Sequence, residues 1–150
     1  HISAAYVLLA GSDSARVAGT STLKVNAQTI DLQGAPNPTK AGDPVKGFDF
    51  SGFSQVNLIA SGDIRLGTLK VADGLKTSNA DTTPTAEQSA FTGNLVTAAD
   101  LLFSAQRIYP VTAVTFGIET PGNVKFAAPA GSDTTIPLSA GGGITVHAKT

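Results

Sequence analysis

One eleven-residue pattern constrains this chain more than any other feature. It runs from Val56 to Leu66 as V-N-L-I-A-S-G-D-I-R-L and returns from Ile136 to Val146 as I-P-L-S-A-G-G-G-I-T-V. Apolar residues occupy positions 1, 3, 5, 9 and 11 of both copies. Alternation with period 2 marks a strand with one face in a core. The Gly-containing break between the two alternating runs allows the backbone to turn. Each copy reads as strand, corner, strand.

Partial copies recur. Leu23-K-Val25-N-Ala27-Q-T-Ile30 matches Leu101-L-Phe103-S-Ala105-Q-R-Ile108 position for position. Tyr6-V-Leu8-L-Ala10 reads as another first half, and Val114-T-Phe116-G-Ile118 is followed by Gly122-N-Val124-K-Phe126. The interval between copies varies, as in a coil with loops let out at its corners. On this reading Ala10, Ala27, Ala60, Ala105 and Ala140 stack about 4.8 Å apart, and their small size leaves room for large neighbours. Hairpin signals such as Asn-Gly are missing between most strands, which disfavours an antiparallel sandwich. The expectation is an all-β chain forming a parallel β-helix as a single segment, residues 1–150.

Two polar excursions interrupt the pattern. Residues 34–47 hold three prolines and three glycines, which no regular ladder tolerates. Phe48, Phe50 and Phe53 follow and should anchor that excursion to the core. Leu69 and Val71 suggest one more short strand. Residues 73–93 form the longer excursion, with a short helix allowed over 85–91 after Pro84. The strand pattern resumes at Leu95. No stripe of helical period appears anywhere.

Charged residues make up only 14% of the chain and the net charge is −1. Nucleic-acid binding needs clustered Lys and Arg, so it is not expected. Lys24, Lys70 and Lys125 each sit between apolar neighbours and read as outward strand positions. Cysteine is absent, which removes disulfides, thiolate metal sites and a Cys nucleophile. Methionine is absent even at position 1, so the chain is expected to be a processed or excised piece of a longer one. No apolar run has the roughly 20 residues that span a bilayer as a helix.

Together these residues carry a family resemblance. A-A-Y-V-L-L-A-G, T-L-K-V-N-A-Q-T-I-D-L-Q-G and G-F-S-Q-V-N-L-I-A-S-G-D-I-R-L, then D-L-L-F-S-A-Q-R-I-Y-P-V-T-A-V-T-F-G-I and P-L-S-A-G-G-G-I-T-V-H-A, resemble the large filamentous-haemagglutinin-type exoproteins of Gram-negative bacteria. The stretches Ala105 to Pro110 and Ser61 to Arg65 are the most specific, and the excursions match least. The resemblance implies a right-handed parallel β-helix. It also implies export by two-partner secretion through an outer-membrane transporter that engages a region outside this chain. The parent would then be displayed at the cell surface. The resemblance transfers no catalytic motif to any residue here.

Candidate chemistry is sparse. Asp13, Asp63 and Asp133 lie beside Gly or Ser, where a side chain bonding its own backbone at a turn is expected. Asp31, Asp100, Glu87 and Glu119 share no local motif. A Ser-His-Asp triad needs a central histidine. Only His1 and His147 are available, one terminal and one at an outward strand position. Gly141-G-G-I lacks the Asp of a calcium-binding repeat, and Gly11-S-D-S and Gly131-S-D-T offer too few oxygens. No catalytic, cofactor or metal residue is therefore assigned, and the chain is not expected to be an enzyme.

The expected function is a structural rod segment of a secreted, surface-displayed adhesin filament, whose partner would be a host glycan or protein receptor. The alternative is a glycan-binding or glycan-cleaving module with the 73–93 excursion lining a groove. Neither end resembles a polar cap, so end-to-end self-association of the piece is also expected.

Overall fold

The computed structural model describes residues 1–11, 17–35, 47–68, 92–131, 135–137 and 139–150. Its strands are β1 (Ile2–Ala10), β2 (Ser21–Gly34), β3 (Phe53–Ala60), β4 (Asp63–Thr68), β5 (Thr92–Val96), β6 (Asp100–Ser104), β7 (Arg107–Pro110), β8 (Thr115–Glu119), β9 (Val124–Ala127) and β10 (Gly143–His147). Among the described residues there is no helix. Every pairing between these strands is parallel. Seven strands form one curled sheet in the order β7-β4-β2-β3-β6-β9, with β1 on β2. Three more form a second sheet in the order β10-β8-β5.

The curl originates in β2. Its first half pairs with β3 and its second half with β4. Val25 is buried and Ala27 half-buried, and the next buried position is Ile30 rather than residue 29. That change of phase at Gln28-Thr29 is the corner, and Ser61-Gly62 and Gln106 stack on it. Ser61 N donates to Ala27 O, Gly62 N to Gln28 O and Gln106 N to Gly62 O, each at 2.9 Å. A corner whose amides are taken by its neighbours leaves no buried donor unpaired.

Register converts the alternation into columns. Leu23, Val56, Leu101 and Val124 align across four strands, as do Val25, Leu58, Phe103 and Phe126. Past the corner, Ile30, Ile64 and Ile108 align. In the smaller sheet Leu95, Ile118 and Val146 form one column and Gly93, Phe116 and Ile144 another. These columns meet in one core, where Phe103, Phe116, Ile30, Leu58 and Ile64 are among the largest fully buried side chains. Each such side chain contributes about 1.5–3 kcal/mol on burial. Phe48 and Phe50 pack edge to face at 4.7 Å between centroids, and Phe53 lies partly buried in β3. The three phenylalanines thus join the core as expected.

Several expectations change. β1 has the opposite phase: Val7 and Leu9 pair with Ile30 and Leu32, while Tyr6 and Leu8 are 51% and 48% exposed. Ala10 therefore pairs with Gln33, and it is Ala4 that lies beside Ala27. The cause is that β1 runs straight across the β2 corner with one constant offset, so its second half carries the phase of β4. The second full copy of the pattern also divides. Gly143–His147 is a strand, but Ile136 is 89% exposed and Ala140 lies outside the Ala27–Ala60 ladder, accepting a bond from Ala113 N. Gly34 belongs to β2, and Thr92 and Gly93 belong to β5, so both excursions are shorter than the sequence suggested. Their interiors, with the strand at Leu69 and Val71, Lys70 and the helix over 85–91, lie outside the described residues.

Ala60 pairs with Ala27 and is 1% exposed, and Ala105 is 2% exposed. Ala60 lies in the sheet beside Ala27, whereas Ala105 borders an open depression of ≈ 500 Å³ lined also by Ile108, Phe126 and Ile144. Ala60→Leu is expected to cost about 1–3 kcal/mol by overpacking, and Ala105→Leu less than about 1 kcal/mol because its longer side chain can extend into the depression. Urea denaturation of the two variants measures the difference, and equal losses would contradict it.

Candidate functional site

Two outward faces carry polar side chains in quantity. The first lies on β2, β4 and β7. Asp31 and Arg65 are register neighbours, as are Asp63 and Arg107. Arg65 Nε and Nη2 donate to the two Asp31 oxygens at 2.5 and 2.6 Å. Arg107 does the same to Asp63 at 2.7 and 3.1 Å. Each carboxylate also accepts from a tyrosine, Tyr6 Oη to Asp31 at 2.8 Å and Tyr109 Oη to Asp63 at 3.1 Å. The planar guanidinium fork matches the carboxylate, which fixes strand register.

This ladder consumes its own chemistry. Its charges and hydroxyls point at each other, so it reads as an exterior clamp between strands. Both pairs are partly exposed, and a single one contributes about 0–1 kcal/mol. Hydrogen bonding to Asp31 raises the Arg65 pKa above its ordinary value, with proximity to Asp31 adding to the rise and burial opposing it. The Tyr109 phenol is raised above its ordinary 10.0, first by burial and then by its bond to Asp63. A raised phenol stays protonated when folded while the unfolded chain ionises. Its contribution is complete below the unfolded value of about 10 and is lost as pH climbs through the folded value. The chain should therefore lose stability in alkali above about pH 10, and Tyr109→Phe should flatten that decline. Melting temperatures across this window test it, and an unchanged slope in the variant would contradict it.

The second face lies on the smaller sheet. Its columns on the side away from Leu95 and Ile118 are Thr92–Thr115–Gly143, Asn94–Gly117–Thr145 and Val96–Glu119–His147, of which the β5 members Asn94 and Val96 are themselves buried. Gly117 and Gly143 contribute no side chains; the space over Gly143 is open, whereas the Asn94 side chain fills that over Gly117. Asn94 leans over Gly117, where its Oδ1 would lie 2.5 Å from an added Cβ, while its Nδ2 donates to Ala35 O at 3.2 Å. A depression of ≈ 280 Å³ runs over Thr92, Thr115, Gly117 and Thr145 to Glu119 and His147. A second of ≈ 570 Å³ continues from Glu119 and His147 past Thr120 and Pro121 to Lys149. The two share Glu119 and His147 and form one groove along the strands.

The structure places the other sequence candidates apart from this groove. Asp63 is not a turn residue but the partner of Arg107, because the corner precedes it at Ser61-Gly62. Asp100, at the start of β6, accepts from Asn123 N at 2.6 Å and ties β6 to the residue that precedes β9. The His1 ring bonds Asn26 at 2.6 Å. Gly141 has φ +70 and turns the chain into β10. Lys24 and Lys125 are exposed and share an outward column with Asn57 and Leu102. Asp13, Asp133 and Glu87 lie outside the described residues. Among the described residues no three His, Cys, Asp or Glu side chains gather closely enough to hold a metal ion. Sequence reasoning missed the pairing of Glu119 with His147 because the two lie in strands separated by most of a turn of the chain. The usable signal was that Thr115-F-G-I-Glu119 and Gly143-I-T-V-His147 share one alternation, which predicts that their last residues face the same way.

Comparison with protein-family models, with curated proteins and with solved structures finds no match for this chain.

Proposed function

We propose that the chain is a rod segment of a secreted filament that displays an adhesin at a bacterial surface, coiled as a right-handed parallel β-helix. The observation that supports this reading is the unbroken parallel register of the Leu23, Val25 and Ile30 columns. Inner strands bonded on both edges make a body that extends by repetition and resists bending. The ladders of Asp31–Arg65 and Asp63–Arg107 clamp neighbouring strands on the outside. The sequence resemblance adds export of the parent chain through an outer-membrane transporter. An epitope tag inserted between Thr68 and Thr92 of the full-length protein should be stained by antibody on intact producing cells. Staining only after permeabilisation would overturn the surface placement.

The end faces support a further part of the reading. Phe126, Ile144 and Val146 are exposed on the side of β9 and β10, and Ile2 and Leu8 on the side of β1. The isolated chain should therefore self-associate end to end, and sedimentation velocity should show a mass that grows with concentration. A monomer throughout the micromolar to millimolar range would contradict it.

A further inference from the structure

We propose that the groove on the outer face of β5, β8 and β10 binds a short oligosaccharide lying along the strands, with Glu119 and His147 as its central contacts. This goes beyond the rod reading and does not depend on it. The shape is the first argument. From Thr115 to Pro121 the groove follows a strand and its exit for about 20 Å, at roughly 3.3 Å per residue. Its larger compartment, ≈ 570 Å³, falls in the usual range for ligand clefts.

The chemistry is the second argument. The walls present hydroxyls from Thr92, Thr115 and Thr145, a carboxylate at Glu119, an imidazole at His147 and an ammonium at Lys149. A ligand bearing many hydroxyls meets both donors and acceptors along this line. Cross-strand neighbours such as Glu119 and His147 sit about 4.8 Å apart, so both reach one ring. Lys149 at the far end favours a sugar acid over a neutral sugar. The groove lining holds one carboxylate among its described residues, whereas glycoside hydrolysis ordinarily uses two, so the arrangement favours binding over cleavage.

The test is a glycan array of chito-, cello-, xylo- and galacturono-oligosaccharides, followed by titration calorimetry with the best binder. The native chain should bind at least one class. Glu119→Gln should weaken binding at least tenfold and His147→Ala at least fivefold, with unchanged circular-dichroism spectra. Thr145→Val, which keeps shape and strand preference, should weaken binding and serves in place of any variant that fails to fold. Lys24→Ala on the opposite sheet should bind as the native chain does. No binding across the array would overturn the proposal. So would groove variants that bind normally while folded, or a Lys24→Ala loss as large as theirs. Surface staining of the tagged parent is unaffected by any of these outcomes, so the two readings fail separately.

Discussion

Phe103→Ala is expected to cost about 3–5 kcal/mol, the largest loss of any single truncation in this core. The ring is fully buried in β6, where it follows Val25 and Leu58 in one column. It also stacks on Phe126 at 5.2 Å with 16° between planes, and Phe126 is itself 43% exposed. Removing the inner ring leaves a cavity and takes away the surface on which the outer one rests. The backbone cannot close the gap, because β6 is held on both edges by β3 and β9. The readout is the urea midpoint at unchanged slope. Phe126→Ala should cost clearly less, because that ring is covered on one face only. Equal losses for the two would mean that the column is not graded from inside to end.

Gly34→Ala is expected to cost about 3 kcal/mol, at the upper end for overpacking, although it adds one methyl group. Gly34 ends β2, and an added Cβ there would lie 2.5 Å from the Asn94 carbonyl oxygen and closer still to the Asn94 nitrogen. Both are backbone atoms, so no rotamer change relieves the clash. The same place joins the two sheets: Asn94 N donates to Ala35 O at 2.8 Å, and Phe48 N donates to Asn94 O at 2.9 Å. A shift of either strand breaks these bonds and uncovers buried donors. Thermal melting and amide exchange at Asn94 and Val96 measure the effect. A variant as stable as the parent, with those amides still protected, would show that the sheets have slack at this junction.

Much of the strand content was legible because burial acts locally through the alternation. Leu23-K-Val25, Val56-N-Leu58 and Leu101-L-Phe103 each announce which residues point inward, and the structure aligns all three in register. The match between Ala27-Q-T-Ile30 and Ala105-Q-R-Ile108 was also sound, since both pass the same corner. Phase failed at β1, where Tyr-Val-Leu-Leu contains apolar residues on both faces and alternation loses its meaning. It failed again at Ile136-P-Leu, where a strand-like pattern carries a proline and Ile136 stands in solvent. The Glu119–His147 groove was illegible for another reason. Its members are joined by register between distant strands, and no local spacing encodes that.

The sequence alone determined that this chain is built of strands, since period-2 burial, β-branched residues and glycine breaks all act within a few residues of each other. It also determined which residues of β2, β3, β4 and β6 face inward. Only the tertiary structure decided that β2 divides its pairing between β3 and β4, that Asp63 clamps Arg107, and that Thr145 and His147 complete a groove begun by β5 and β8. Those outcomes depend on which strand lies beside which. Strand partners are chosen by the packing of the whole core, where a neighbour in space is distant along the chain.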